Sequence, residues 1–74
     1  MEKRRIRRGF RLLPENAEER LILVQKAPLL EKAGYKVNLE KNGSITVVDL
    51  DMRANYEVAL MELDIQKTLG LPLR

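Results

Sequence analysis

Neither cysteine nor histidine occurs among the 74 residues, and this limits how the chain can be stabilised. Disulfide frameworks and the zinc sites of small metal-binding domains both depend on these residues. A chain of this length buries only about 60% of the surface that its unfolded form exposes. We therefore expect a single domain, residues 1–74, that rests on one apolar core, with a partner subunit as a further source of stability.

The composition is that of a globular protein, because 45% of the residues are apolar and 34% are charged. No apolar run approaches the roughly 18 residues that a membrane span needs, and the N-terminus lacks the apolar segment of a signal peptide. We expect a cytoplasmic protein with no membrane partner, complete from Met1.

Positive charge is concentrated in a basic N-terminal segment, residues 1–13. It holds six Lys and Arg side chains against one Glu, a net charge of +5, whereas the eight basic and ten acidic side chains that follow give −2. Guanidinium groups match phosphate geometry, and their binding releases condensed counterions. The segment therefore predicts binding to duplex DNA, although a merely solvating tail has the same composition. The predicted nucleic-acid-binding residues are Arg4, Arg5, Arg7, Arg8 and Arg11.

The same segment has the period-two alternation of a β-strand over Ile6–Leu13. Ile6, Phe10 and Leu12 fall on one face, and Arg11 falls on the other. Gly9 would allow a close backbone approach, and a bulge would explain it equally well. Pro14 ends this strand and presets the backbone for a helix.

A helix with acidic residues at its start follows Pro14, although a buried strand over Leu21–Val24 is the alternative. Pro28 cannot donate a hydrogen bond to the Val24 carbonyl, so we expect the helix to break near it. A second short helix, 28–33, would then end at Gly34 as a left-handed cap.

Asn42-Gly43 is the preferred dipeptide of a two-residue type I′ turn, so we predict a β-hairpin over residues 35–50. In the resulting register the paired residue numbers sum to 85. Val37 then faces Val48 on the inner side, and Lys36 faces Asp49 on the outer side.

A last helix is predicted over residues 52–69, capped by Asp51 and closed by Gly70. It has two apolar stripes on nearly opposite sides, and two stripes need two partners. One stripe is assigned to the core: Met52, Tyr56, Ala59, Leu60 and Leu63. The other is assigned to a homodimer interface, unless the first helix covers it within one chain: Ala54, Val58, Met61, Ile65 and Leu69.

The residues available for catalysis are few. Asp49 and Asp51 could hold Mg²⁺, but both have structural roles in the predicted hairpin and helix. The four glycines are too far apart to form a phosphate-binding loop, and Ser44 has no base nearby in sequence. We predict no catalytic residue, no metal site and no cofactor, and therefore a protein that is not an enzyme.

Single-strand binding would need exposed aromatic rings, but the periodicity places Phe10, Tyr35 and Tyr56 on apolar faces. Duplex DNA is favoured instead, with the basic segment as a ribbon in the major groove or an arm in the minor groove.

The predicted fold is a two-layer α+β domain in the order β-α-β-β-α, in which a three-stranded sheet packs on the helices. A winged-helix arrangement with an unstructured first segment is the alternative. The predicted function is that of a small, dimeric, regulatory DNA-binding protein. A protein–protein interaction module that uses the second stripe of the last helix is the rival function.

Overall fold

The computed structural model describes residues 1–54 and 56–74. Two helices cover one face of a four-stranded antiparallel sheet with the strand order β1-β2-β4-β3. The α+β class is as predicted, but the chain contributes one strand more than expected. The elements are β1 (Glu2–Ile6), β2 (Gly9–Leu13), α1 (Ala17–Lys32), β3 (Lys36–Leu39), β4 (Ile45–Val48) and α2 (Tyr56–Leu69).

The additional strand comes from the basic segment. The single strand predicted over Ile6–Leu13 is wrong, because the chain turns back at Arg7 and Arg8 and pairs Ile6 with Gly9. The turn contains no Gly, Asn or Pro, and β1 is mostly charged, so composition alone did not reveal it. The winged-helix alternative is wrong for the same reason, because this first segment belongs to the sheet.

The predicted alternation holds within β2. Phe10 and Leu12 are buried on the helix side, and Arg11 lies on the opposite face. Gly9 marks a close backbone approach, because a Cβ atom there would lie 2.0 Å from the carbonyl oxygen of Val47 in β4. The two central strands therefore meet where no side chain larger than hydrogen fits.

The β3–β4 hairpin exists, but its predicted register is wrong by one residue. Val37 pairs with Val47 and Leu39 pairs with Ile45, so the paired numbers sum to 84. The inward residues of β4 are consequently Ile45 and Val47. Lys36 lies opposite Val48, and the predicted outer pair with Asp49 does not form.

The turn of this hairpin explains the shift. The Gly43 N–H donates to the Glu40 carbonyl at 3.1 Å, and the Glu40 N–H donates to the Ser44 carbonyl at 2.9 Å. Gly43 has φ +88°, whereas Asn42 keeps a negative φ. The Asn42 side chain also accepts a hydrogen bond from the Ser44 N–H at 3.0 Å. The loop thus has three residues and ends in a left-handed glycine, and it is not a type I′ turn.

Helix α1 is continuous through Pro28, contrary to the predicted break. Val24 and Pro28 both lie on its exposed side, where the unpaired Val24 carbonyl can be hydrated. Buried Leu23, Ala27 and Leu30 anchor the helix on both sides of the proline.

The ends of α1 have specific caps. The Asn16 side chain accepts from the Glu19 N–H at 2.8 Å at the start. At the end, the Gly34 N–H donates to the Glu31 carbonyl and the Tyr35 N–H donates to the Leu30 carbonyl. This pair of bonds is a Schellman motif, and the predicted cap at Gly34 is confirmed.

Helix α2 begins at Tyr56, four residues later than predicted, although position 55 of the predicted range lies outside the described residues. Asp51 does not cap it, because the helix starts beyond the reach of its side chain; the Asp51 N–H instead donates to the Asp49 carboxylate at 3.0 Å within the preceding loop. Met52 is buried as predicted, but in this loop and not in the helix. The predicted end at Gly70 is confirmed, with φ +71° and a bond from its N–H to the Gln66 carbonyl.

Residues after α2 return to the sheet. The Arg74 N–H donates to the Met1 carbonyl at 2.9 Å, and the Lys3 N–H donates to the Arg74 carbonyl at 2.8 Å. Part of the outer edge of β1 is thereby covered, which limits edge-to-edge pairing there. Leu73 is buried in the same cluster as the helix residues.

A side-chain hydrogen bond joins the segment before β3 to helix α2. The Tyr35 hydroxyl, just before β3, donates to the Asp64 carboxylate of α2 at 2.7 Å. Burial of the ring and the hydrogen bond to Asp64 raise the pKa of Tyr35 above its ordinary value of 10.0. The folded state therefore favours the neutral, protonated form of the Tyr35 phenol.

We expect Gly9→Ala to destabilise the fold by about 3 kcal/mol, at the upper end of overpacking costs, because its Cβ meets rigid backbone. The matched control is Gly43→Ala. There the nearest atom belongs to the flexible Arg20 side chain, and the cost is the left-handed strain of about 1 kcal/mol. Chemical denaturation of both variants measures the difference, and equal losses would contradict the close approach at Gly9.

We expect Tyr35→Phe to lower the free energy of unfolding by about 1 kcal/mol near neutral pH, because one hydrogen bond is lost. A raised folded-state pKa means that this contribution is fully present below pH 10.0 and is lost as the pH rises above it. Denaturation curves should therefore differ at pH 7 and converge at higher alkaline pH. A stability difference between Tyr35→Phe and the wild type that does not change with pH would show that the pKa of Tyr35 is the same in the folded and unfolded chains.

Candidate nucleic-acid interface

The five predicted arginines all belong to the β1–β2 hairpin. Arg4 and Arg5 lie in β1, Arg7 and Arg8 form its turn, and Arg11 lies in β2. Hydrogen-bonded pairing with β4 on one side holds the hairpin in the sheet. The basic segment is therefore folded into the sheet, and it is not a flexible arm.

Two of these arginines lie on the open sheet face and already have acidic partners. Arg4 and Arg11 are cross-strand neighbours on that face. The Arg4 Nε lies 3.7 Å from a Glu2 carboxylate oxygen, and the Arg11 Nη2 lies 3.4 Å from a Glu40 carboxylate oxygen. The Arg11 Nε is buried and has no hydrogen-bond partner among the described residues. The carboxylates reduce the positive potential that these two side chains present.

Arg5 points to the other side of β1, toward the end of the hairpin. Its guanidinium carbon lies 5.7 Å from the centroid of the Phe10 ring, a cation–π distance. It donates to the Gly9 carbonyl at 2.9 Å and also to the Ile6 carbonyl. These contacts hold the charged group beside the turn while the side chain stays exposed.

Arg7 and Arg8 are exposed in the turn itself. Arg8 has φ +61°, and it is the one non-glycine residue in the described part of the chain with a positive φ. A left-handed conformation costs an L-residue about 1–2 kcal/mol, and Gly or Asn usually occupies such a position. Its guanidinium makes one long contact, 3.5 Å to the Leu50 carbonyl. This contact is too weak to explain why an arginine occupies a left-handed position.

The structure thus divides the predicted set. Within residues 1–54 and 56–74, Arg5, Arg7 and Arg8 have no carboxylate within ion-pair distance, unlike Arg4 and Arg11. We call these three residues the tip cluster. Lys3, the remaining cation of β1, pairs with Glu62 of α2 and so belongs to the helix side.

The two apolar stripes of α2 are exchanged relative to the prediction. Met61, Ile65 and Leu69, assigned to a dimer interface, are buried in the chain's own core. Val58 packs against that core, and Ala54 is half-buried in the preceding loop. The exposed stripe, which the sequence assigned to the core, contains Tyr56, Ala59, Leu60 and Leu63.

Among the described residues there is no pocket and no group of three metal-ligating side chains. The Asp51 N–H donates a hydrogen bond to the Asp49 carboxylate, so one member of this acidic pair already has a structural partner. No helix among the described residues has the length and apolarity to cross a membrane.

Comparisons with family models, curated proteins and solved structures found no match. The geometry of the chain itself is therefore the basis for any functional proposal.

We expect Arg8→Gly to raise the free energy of unfolding by about 0.5–1 kcal/mol, because relief of left-handed strain exceeds the entropy that glycine adds to the unfolded state. Arg7→Gly is the matched control. It removes the same charge where φ is not positive, so it should lower stability by about 0.5–1 kcal/mol. Thermal melts of both variants decide the point, and a loss at Arg8 would mean that its side chain stabilises the turn.

Proposed function

We propose that the chain is a small regulatory protein that binds duplex DNA through the tip cluster. The observation that carries this proposal is the presence of three exposed arginines, without acidic partners among the described residues, at the turn end of the β1–β2 hairpin. Phosphate oxygens are the ligands that such groups bind best, often in a bidentate manner. Arg8 supports the proposal, because a charged residue occupies a backbone position that glycine would occupy at lower cost.

Duplex DNA is favoured over single strands by the position of the aromatic rings. Single-strand binders stack bases on exposed rings beside a basic groove. Here Phe10 is buried and Tyr35 is engaged with Asp64, and the exposed ring of Tyr56 belongs to α2 and not to the hairpin that carries the tip cluster. The turn end of the β1–β2 hairpin, in contrast, presents guanidinium groups and no exposed ring, which suits duplex phosphates better than base stacking.

Arg4 and Arg11 take a secondary part in this proposal. Each would have to exchange a carboxylate for a phosphate, so its net gain on binding is smaller than that of a tip residue. The role is non-enzymatic, as the sequence predicted, and needs no cofactor or metal.

The exposed stripe of α2 favours a second function, that of a protein–protein interaction module. Tyr56, Leu60 and Leu63 are between 60% and 71% exposed, and apolar rows of this kind often mark contact sites. In that case the tip cluster would serve only to keep the protein soluble.

We expect the affinity for a short duplex to fall with salt, with a log–log slope of about −2.7 per chain if three phosphates are neutralised. Changing Arg5, Arg7 and Arg8 together to Gln should abolish most of that slope. The matched control changes Lys32, Lys36 and Lys41 to Gln, which removes three exposed charges elsewhere and should leave the slope nearly unchanged. Fluorescence anisotropy between about 50 and 200 mM salt provides the measurement.

Three outcomes would contradict the proposal. They are no duplex binding at about 50 mM salt, an equal loss in both triple variants, and tighter binding of a single strand of the same length. Thermal melts of both variants exclude unfolding as the cause. The variant Arg4→Gln with Arg11→Gln should reduce affinity less than the tip variant does.

A further inference from the structure

The outer side of α2 carries a row of exposed apolar side chains that the fold of one chain leaves uncovered. We call Tyr56, Leu60 and Leu63 the outer row; they are 71%, 60% and 62% exposed. At 100° per residue the row lies opposite buried Met61 and Ile65, so it points away from the sheet.

Helix α1 presents apolar residues on its own outer side as well. Leu21, Val24 and Leu29 are each about half exposed, whereas Leu23, Ala27 and Leu30 face the core. Both helices lie on the same face of the sheet, so these residues and the outer row belong to one helix layer. A stable interface takes about 800 Å² from each partner, more than three side chains supply. If the exposed apolar residues of both helices take part, the area buried on each partner comes closer to this value.

The order of charges along α2 indicates which partner fits. Glu57 lies in its first turn and Lys67 in its last turn. A second α2 in antiparallel orientation brings each Lys67 toward the other copy's Glu57 and Tyr56 ring, and aligns the helix dipoles favourably. A parallel copy would instead bring the two lysines together. The surface is therefore self-complementary about a two-fold axis between Leu60 and Leu63.

We propose that the outer row is a homodimer interface, on which α2 of a second copy packs antiparallel. The two-fold axis places Leu60 of each copy against Leu63 of the other. This inference does not depend on DNA binding, because the tip cluster lies in a different element. The sequence assigned the other apolar stripe of α2 to the dimer interface, but the fold buries that stripe and exposes the outer row.

Sedimentation analysis of the purified chain tests the proposal. We expect the wild type to have twice the 8.6 kDa mass of one chain at micromolar concentration. Leu60→Glu should raise the dissociation constant at least about a hundredfold, since each interface would bury two new charges. The matched control is Leu39→Glu in β3, the same change at the same 60% exposure outside the helix layer, and it should remain dimeric.

A charge exchange tests the antiparallel orientation. Lys67→Glu alone should weaken the dimer, and adding Glu57→Lys should restore it, because the opposite charges meet again with their positions reversed. Circular dichroism melts confirm that each variant is folded, which matters because the Glu57 side chain also accepts a hydrogen bond from the Arg53 N–H.

The result that overturns the proposal is a monomeric wild type at high concentration, or a dimer that Leu39→Glu dissociates and Leu60→Glu does not. A folded double charge variant that stays monomeric would refute the antiparallel orientation. Salt-dependent binding of duplex DNA by a monomeric Leu60→Glu variant would show that the two proposals stand or fall separately.

Discussion

The pairing of β2 with β4 is the interaction on which the rest of the fold depends. It joins the N-terminal hairpin to a hairpin more than thirty residues later, and it places Phe10 beside Val47 and Leu12 beside Ile45. These four side chains are buried and form the floor on which both helices pack. Gly9 permits the two backbones to approach. Without that contact, β1 would be part of an isolated two-stranded hairpin, which is marginally stable in water.

Sequence periodicity predicted the parts of this fold in which one physical solution dominates. The inward residues of β2 and the glycine ends of both helices are examples, because each has a single low-energy arrangement. The β3–β4 register was mispredicted because Asn-Gly allows two loops, which differ in the φ angle of Asn42. The β-branched run from Ile45 to Val48 could not distinguish them, since β-branched residues occupy both faces of that strand.

Helix α2 illustrates a different limit. Its two apolar stripes have the same helical period, so periodicity cannot assign one to the core and the other to the surface. In the folded chain Met61, Ile65 and Leu69 of one stripe are buried in the core, whereas Leu60 and Leu63 of the other stripe are exposed. The candidate arginines were identified from charge alone, but their division into paired and unpaired groups depends on Glu2 and Glu40, whose positions only the sheet determines.

The rigid turn at Arg7 and Arg8 has a consequence for any polyanion that meets it. A disordered basic arm loses backbone freedom when it binds, at about 1–2 kcal/mol for each ordered residue. A turn that is already closed by the pairing of Ile6 with Gly9 does not incur that loss. The backbone of the turn is therefore preorganised, whereas the exposed side chains of Arg7 and Arg8 keep their rotamer freedom. The strain at Arg8 was accommodated when the chain folded, so a bound polyanion would not have to supply it.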